Sequence, residues 1–392
     1  MTTSHLGLRL GLGLGTSTAA SSADAGRQAA VVAMDQLQGA DPALVLVFAS
    51  TRYELQPLLD AIREVTGDTP LAGATSSGSF HDGILTSPGE GVAVLVMTAG
   101  RYRFGVASVS GLGADPEDAG RRLARAARDA VEAEEGRHSA LLLLADGLGA
   151  DLQLLLSGIY RVTGARVPVV GGAASDDRQL TRTFVFHDGR VVADGAVAVW
   201  IESDHPLRVV ARHGWHAVTL PMLITRVDGM VVHEVGGRPA VEVYREHAEA
   251  GKAADIGLPE RYHSAHAFGL IEADGSQLIR GCMEGPDGLL RTFAPLPPYG
   301  AVEVVSCSPD DLLDVTEDVV AEALTDQDAD LLLTFSCVAR LDILGERTWE
   351  EVSRLQAAAG RVRTFGYYTY GEFARTDSVA GFHNATIAAI AL

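Results

Sequence analysis

The chain has 392 residues, room for two or three domains. Its 47% apolar and 21% charged content is that of a globular core, not of a disordered chain. Acidic residues outnumber basic ones 51 to 31, and a formal charge of −20 weighs against nucleic acid and anionic membrane surfaces as partners.

Lysine occurs once, at Lys252, in a polar stretch that suits a Schiff base poorly. No G-x-x-x-x-G-K-[ST] phosphate loop and no V-A-I-K kinase element is present. The three cysteines, Cys282, Cys307 and Cys337, form no C-x-x-C, which excludes a disulfide framework or zinc knuckle and fits a reducing compartment. No apolar run approaches the ~18 residues of a membrane span. The Gly-interrupted run from Leu6 to Gly15 contains Arg9 and makes a poor signal peptide. It reads as a first strand and turn before an Ala-rich helix near 21–37, and its Gly11-Leu-Gly13-Leu-Gly15 lacks the tail of a dinucleotide turn. A cytoplasmic protein without a membrane span is expected.

Along the chain one pattern occurs three times. Apolar runs start at Ala43, Ala140 and Asp330, and a glycine turn follows 30, 31 and 36 residues later, at Gly73, Gly171 and Gly366. Between run and turn lies an amphipathic helix. Its stripes are Leu55, Leu58, Leu59, Ile62, Val65; Leu152, Leu155, Leu156, Ile159, Val162; and Trp349, Val352, Leu355. In the third, Thr348 and Glu351 have the spacing of a capping box. Further strands close the units at 91–97, 195–201 and 384–392. Asp115-Pro116 and Ser308-Pro309 open additional helices, and 206–305 is rich in short strands.

The architecture expected is α/β, with mixed sheets flanked by helices and two related halves built from repeated β-α-β-β units, divided as 1–205 and 206–392 within about 15 residues. Two turns share G-x-x-x-x-G-x-F, Gly73 to Phe80 and Gly366 to Phe373; the remaining one, Gly171-Gly-Ala-Ala-Ser175-Asp176-Asp177, has the same placement but ends in acids. Thr75, Ser76, Ser175 and Asp176 bring hydroxyls and a carboxylate to such turns, where backbone N–H groups meet small ligands.

Phe365-Gly-Tyr-Tyr-Thr-Tyr-Gly-Glu372, Phe382-His-Asn-Ala-Thr386, Phe335-Ser-Cys-Val-Ala-Arg340 and Gly237–Tyr244 carry a resemblance to the FIST family, an intracellular sensory module of signal transduction with an N and a C part. It extends from about residue 28 to 392, with Ala339 standing where the family has glycine. The resemblance implies a bacterial protein that binds a small ligand, amino acids being proposed. With no output domain in the chain, it implies a signalling partner in trans, such as a histidine kinase or cyclic-dinucleotide enzyme. Some members are described as haem-containing nitric oxide sensors.

The C-terminal motifs place Ser336, Cys337, Arg340, Thr369, Tyr370, Gly371, Glu372, His383 and Asn384 in a candidate ligand set. By residue type Arg340 suits a ligand carboxylate and Glu372 an ammonium. The bland alternative has Tyr367, Tyr368 and Tyr370 packing as cross-strand aromatics and Glu372 solvated. No cofactor and no metal is expected. His213-x-x-His216 and His263-x-x-His266 lack the rest of a metal site, and on strands each pair points to opposite faces. Haem needs one proximal histidine, for which His383, His213 and His216 are candidates. The third reading is a hydrolase using Cys337 or a turn serine, with Ser336, Cys337 and His383 as nucleophile and base; no G-x-S-x-G elbow accompanies it.

Overall fold

Each apolar run becomes a strand buried on both faces within a six-stranded sheet, as a continuous rather than alternating apolar pattern demands. The computed structural model describes residues 9–131, 138–248, 265–375 and 380–392, so Lys252 and His263 lie outside it. The first repeat comprises β1 (Leu12–Ser17), α1 (Ser22–Gln36), β2 (Leu44–Ala49), α2 (Leu55–Thr66), β3 (Leu71–Thr75), a hairpin of β4 (Ser79–His81) and β5 (Ile84–Thr86), and β6 (Val92–Met97). The second repeats this order with β7 (Tyr102–Ser110), α3 (Pro116–Asp129), β8 (His138–Ala145), α4 (Leu152–Thr163), β9 (Val169–Ala173), the hairpin β10 (Val185–His187) and β11 (Arg190–Val192), and β12 (Gly195–Ser203).

The third opens with β13 (Val209–Arg212). An insertion follows: β14 (His216–Ala217), β15 (Met222–Asp228), β16 (Val231–Val235), β17 (Arg238–Pro239), α5 (Ala240–Ala248), β18 (His266–Ile271), β19 (Gln277–Glu284), β20 (Leu290–Thr292) and β21 (Ala301–Ser306). Pairing of β21 with β18 closes it into an antiparallel barrel. The repeat resumes with α6 (Pro309–Leu324), β22 (Leu331–Cys337), α7 (Val338–Leu344), α8 (Thr348–Ala359), β23 (Arg363–Thr369), the hairpin β24 (Glu372–Arg375) and β25 (Ala380–His383), and β26 (Ile387–Ala391). The α/β class with mixed sheets is therefore realised: β2–β3, β8–β9 and β22–β23 are parallel and their sheet neighbours antiparallel.

The repeats exchange hairpins in a cycle. β4–β5 extends the third sheet at β23, β24–β25 the second at β9, and β10–β11 the first at β3. This explains the glycine–phenylalanine motif. Phe80 lies opposite Gly366, Phe373 opposite Gly171, and Phe186 opposite Gly73, so each phenylalanine covers the glycine of a different repeat. A Cβ on Gly73, Gly171 or Gly366 would stand 2.2, 1.9 or 2.0 Å from the carbonyl oxygen of Val47, Leu143 or Thr334. Close approach requires these glycines, and at Gly171 a φ of +148° adds to it. Gly13 and Gly15 serve the same end within β1: a Cβ there would meet the Ala33 and Ala29 carbonyls of α1.

The inner faces of the three sheets form one core, including Leu46, Phe48, Leu142, Leu144, Leu333 and Tyr367. Each outer face packs on its own helices. The barrel has a separate core and meets the third repeat through Trp215, Ile279, Cys337 and Ala385. Helix α6 starts with a true capping box, Ser308 with Asp311. The one expected at α8 is absent: Thr348 Oγ1 donates to the Gly345 carbonyl (2.7 Å) and Glu351 points inward. Val352 and Leu355 are buried as expected, but Trp349 is 61% exposed. Among the described residues no helix is long and apolar enough to cross a membrane.

Candidate ligand site

The three glycine turns converge. Ser175 N donates to the Thr75 carbonyl (3.0 Å), Ser77 N to the Tyr368 carbonyl (3.2 Å), and Ser175 Oγ to that same Tyr368 carbonyl (2.7 Å). Thr75 Oγ1 accepts from Phe184 N (3.1 Å). Ser76 N donates to the Ala49 carbonyl, and its side chain is buried. Asp176 accepts from the backbone of Leu180, Thr181 and Arg182 and from the Tyr370 hydroxyl. It thereby holds a loop in which Asp177, Arg178 and Leu180 have positive φ. Thr75, Ser175, Asp176 and Tyr370 thus join the repeats to one another.

Arg340 and Ser336 belong to a second cluster, whose centre the sequence reading missed. Arg340 Nε donates to Glu351 Oε1 at 2.7 Å, and Nη2 reaches the Leu312 carbonyl and Thr316 Oγ1. The Glu351 carboxylate also accepts from the Tyr368 hydroxyl (2.7 Å) and from Ser336 Oγ (3.3 Å). The clamp expected of Arg340 on a ligand carboxylate is therefore not what its guanidinium does here, since an internal carboxylate occupies the fork. Nη1 alone is buried without a partner. The glutamate spacing that resembled a helix cap was the signal.

Glu372 is fully buried, not solvated. Thr386 N donates to its Oε2 (3.2 Å), Thr369 Oγ1 bonds to Oε1, and Gly371 N donates to Thr369 Oγ1 (3.2 Å). Burial pushes its pKa well up, which disfavours the full charge that an ammonium group would pair with. Cys337 hydrogen-bonds to it, and burial together with Glu372 pushes that thiol well up too. A nucleophilic thiolate requires the reverse. His383 Nε2 has no hydrogen-bond partner, so neither Ser336 nor Cys337 is joined to it as nucleophile to base.

His383 belongs to a third cluster. The end of β25 and the turn after it bring His383 and Thr386 to a cleft of about 440 Å3, which His213, Trp215, His216, Val315 and Gln277 also line. His213 and His216 share this cleft instead of splitting to opposite faces, because Gly214 between them, at φ +74°, breaks the strand. Burial holds His383 neutral, its pKa pushed down to about 3, with Arg280 adding to the effect. His213 is pushed down to about 4 by burial and His216. The His383 ring bonds to the Ala374 backbone, leaving Nε2 a buried, unsatisfied lone pair. Asn384 Oδ1 beside it is likewise buried and unpartnered. Trp215 N donates to His213 Nδ1 (2.9 Å), which leaves Nε2 as the remaining ring nitrogen. Among the described residues no group of three or more His, Cys, Asp or Glu is placed to hold a metal ion.

Residues 43–238 match the FIST N domain and 240–375 the FIST C domain, and the chain belongs to this family of sensory signal-transduction domains. It is 27% identical over 271 residues to the uncharacterised protein Rv0628c of Mycobacterium tuberculosis, covering 66% of each chain. It is 23% identical over 122 residues to the uncharacterised protein MJ1623 of Methanocaldococcus jannaschii, covering 29% of this chain and 24% of that one. The chain thus spans about a quarter of one of these relatives and just under two thirds of the other. Among solved structures, cyanuric acid hydrolase from A. caulinodans is similar at TM-score 0.38 and 10% identity, over 97% of this chain and 99% of that one.

Proposed function

We propose that the protein is a cytoplasmic small-ligand sensor whose ligand enters the cleft over His383. One observation carries this reading: a neutral imidazole with a buried, unpartnered Nε2, on a residue that lines a cleft of about 440 Å3. Such a nitrogen costs free energy until a donor meets it. An amino acid supplies that donor in its ammonium group. The cleft walls come from the barrel (Gln277), from α6 (Val315) and from the segment joining β13 to β14 (His213, Trp215). A ligand there bridges barrel and third repeat and biases their packing, which a separate signalling protein, such as a histidine kinase or cyclic-dinucleotide enzyme, then reads. The three buried free cysteines suit a reducing cytoplasm.

The test is a thermal-shift series with the twenty amino acids on the wild type and on His383→Gln. A ligand at about 100 times its Kd adds about 2.7 kcal/mol, which moves the Tm of a chain this size by a few degrees. A selective shift that His383→Gln abolishes supports the reading. A shift that survives the substitution removes the ligand from this cleft.

A second reading is favoured by the gathering of His383, His213 and His216 at one cleft. His383, through its unpartnered Nε2, would hold the haem iron, and Trp215 and Val315 would lie against the ring as apolar surface. Bound haem would supply a gas-binding iron. A Soret band on haemin titration, lost in His383→Ala, distinguishes this reading from the first.

A further inference from the structure

A second cleft, of about 460 Å3, opens where the second repeat meets β13 and the end of α6. Its described lining carries four guanidinium groups, Arg166, Arg208, Arg212 and Arg375, against one carboxylate, Glu322. That is unusual in a chain of net charge −20. Many arginines elsewhere sit on carboxylates, as in Arg27–Glu64, Arg347–Glu350 and Arg363–Asp82. Here Arg212 takes Glu322 (2.5 Å), while Arg208 reaches only the Glu322 carbonyl, at the 3.5 Å limit of a hydrogen bond. Arg375 donates to the Gly164 carbonyl (2.6 Å) and stacks 4.3 Å from the Tyr160 ring centroid, which leaves the rest of its fork available.

We propose that this cleft binds a phosphate-bearing small molecule. Gathered guanidinium groups repel one another unless an anion joins them, and their planar forks match phosphate oxygens two at a time. The volume lies within the ~300–1,000 Å3 of small-molecule sites, and Pro168 and Leu207 give a non-ionic part of the ligand apolar surface to lie on. The anion would be held by groups of different origin: Arg166 from the second repeat, Arg208 and Arg212 from the start of the third, and Arg375 from the exchanged hairpin. Ala211 and Arg212 line this cleft and the His383 cleft alike, so β13 is a wall common to both.

Isothermal titration at low ionic strength, with inorganic pyrophosphate and with ATP as probes, tests the proposal. Arg166→Ala and Arg208→Ala should each weaken binding more than tenfold, and affinity should fall steeply with added salt. Arg125→Ala, which removes an exposed arginine of α3, should leave binding unchanged. Tighter binding of ATP identifies an organic phosphate, and equal binding a phosphate group read alone; both support the site. Binding of neither probe, or equal weakening by Arg125→Ala, overturns it. His383→Gln should not alter this binding, which keeps the result separate from the sensor reading.

Discussion

Arg340 and Glu351 form an ion pair of 2.5 Å with side-chain exposures of 0% and 2%. It ties α7 to α8 and, through the Leu312 carbonyl and Thr316, to α6. Breaking a buried pair strands a charge, at a cost of about 3–5 kcal/mol, whereas replacing both partners by apolar groups of similar volume is often neutral. Arg340→Ala and Glu351→Ala should therefore each lower the urea midpoint strongly, and Arg340→Met with Glu351→Leu should recover most of the loss. An Arg340→Ala protein of wild-type stability would show the pair to be dispensable and return Arg340 to the ligand.

The Gly366–Phe80 contact predicts a different sensitivity. An alanine Cβ at 366 would stand 2.0 Å from the Thr334 carbonyl oxygen, a backbone atom of the central parallel pair that cannot swing aside. Gly366→Ala should cost several times the ~1 kcal/mol typical of a Gly→Ala change in the left-handed region. Gly67→Ala is the control, for Gly67 ends α2 at φ +60° with open space around it. Phe80→Ala, truncating a side chain 2% exposed, should lose about 3–5 kcal/mol. Comparable melting temperatures for Gly366→Ala and Gly67→Ala would contradict the close-approach argument.

What was legible in the sequence was periodic. Continuous apolar runs, helix stripes and glycine spacing revealed the three repeats, because burial on both faces of a strand leaves little room for other residues. The hairpin exchange was not legible, since the phenylalanine of each motif covers a glycine far away in sequence and local spacing cannot name its partner. The candidate residues were brought near one another, but their roles were redistributed by contacts that residue type does not encode. Arg340 met Glu351 from the next helix, Asp176 met backbone N–H groups, and burial raised the pKa of Glu372. The histidines remained unranked in sequence because the positive φ of Gly214 decides that His213 and His216 share a cleft.

Two neutral histidines, His383 buried and His213 half-buried, make stability fall in acid. The pKa of His383 is held down at about 3 and that of His213 at about 4, whereas in the unfolded chain both return to about 6.5. Below that value the unfolded state binds protons that the native state refuses. The contribution is complete above about pH 6.5 and is lost as pH falls toward 3–4, each pKa unit weighing about 1.4 kcal/mol. Urea midpoints measured from pH 7 to 4 should drop less in His383→Gln than in the wild type. Parallel curves would mean that the ring titrates as it does in water.

Glu372 gives the opposite slope. Its folded pKa is raised by burial above the unfolded 4.5, so the stability it allows is complete below that value. As pH rises toward the folded pKa, the unfolded chain releases a proton that the native state keeps, and stability declines by up to about 1.4 kcal/mol per pH unit. Glutamine reproduces the shape of the protonated acid and accepts from Thr386 N through its amide oxygen, but has no proton to lose. The stability of Glu372→Gln relative to wild type should therefore rise as pH climbs above the unfolded 4.5, while Glu372→Ala, which empties the site and leaves Thr386 N unpaired, should be destabilised throughout. A pH-independent difference between Glu372→Gln and wild type would show that the carboxyl ionises in place. In that case a full negative charge beneath the His383 cleft, not a lone pair alone, would be what a ligand ammonium meets.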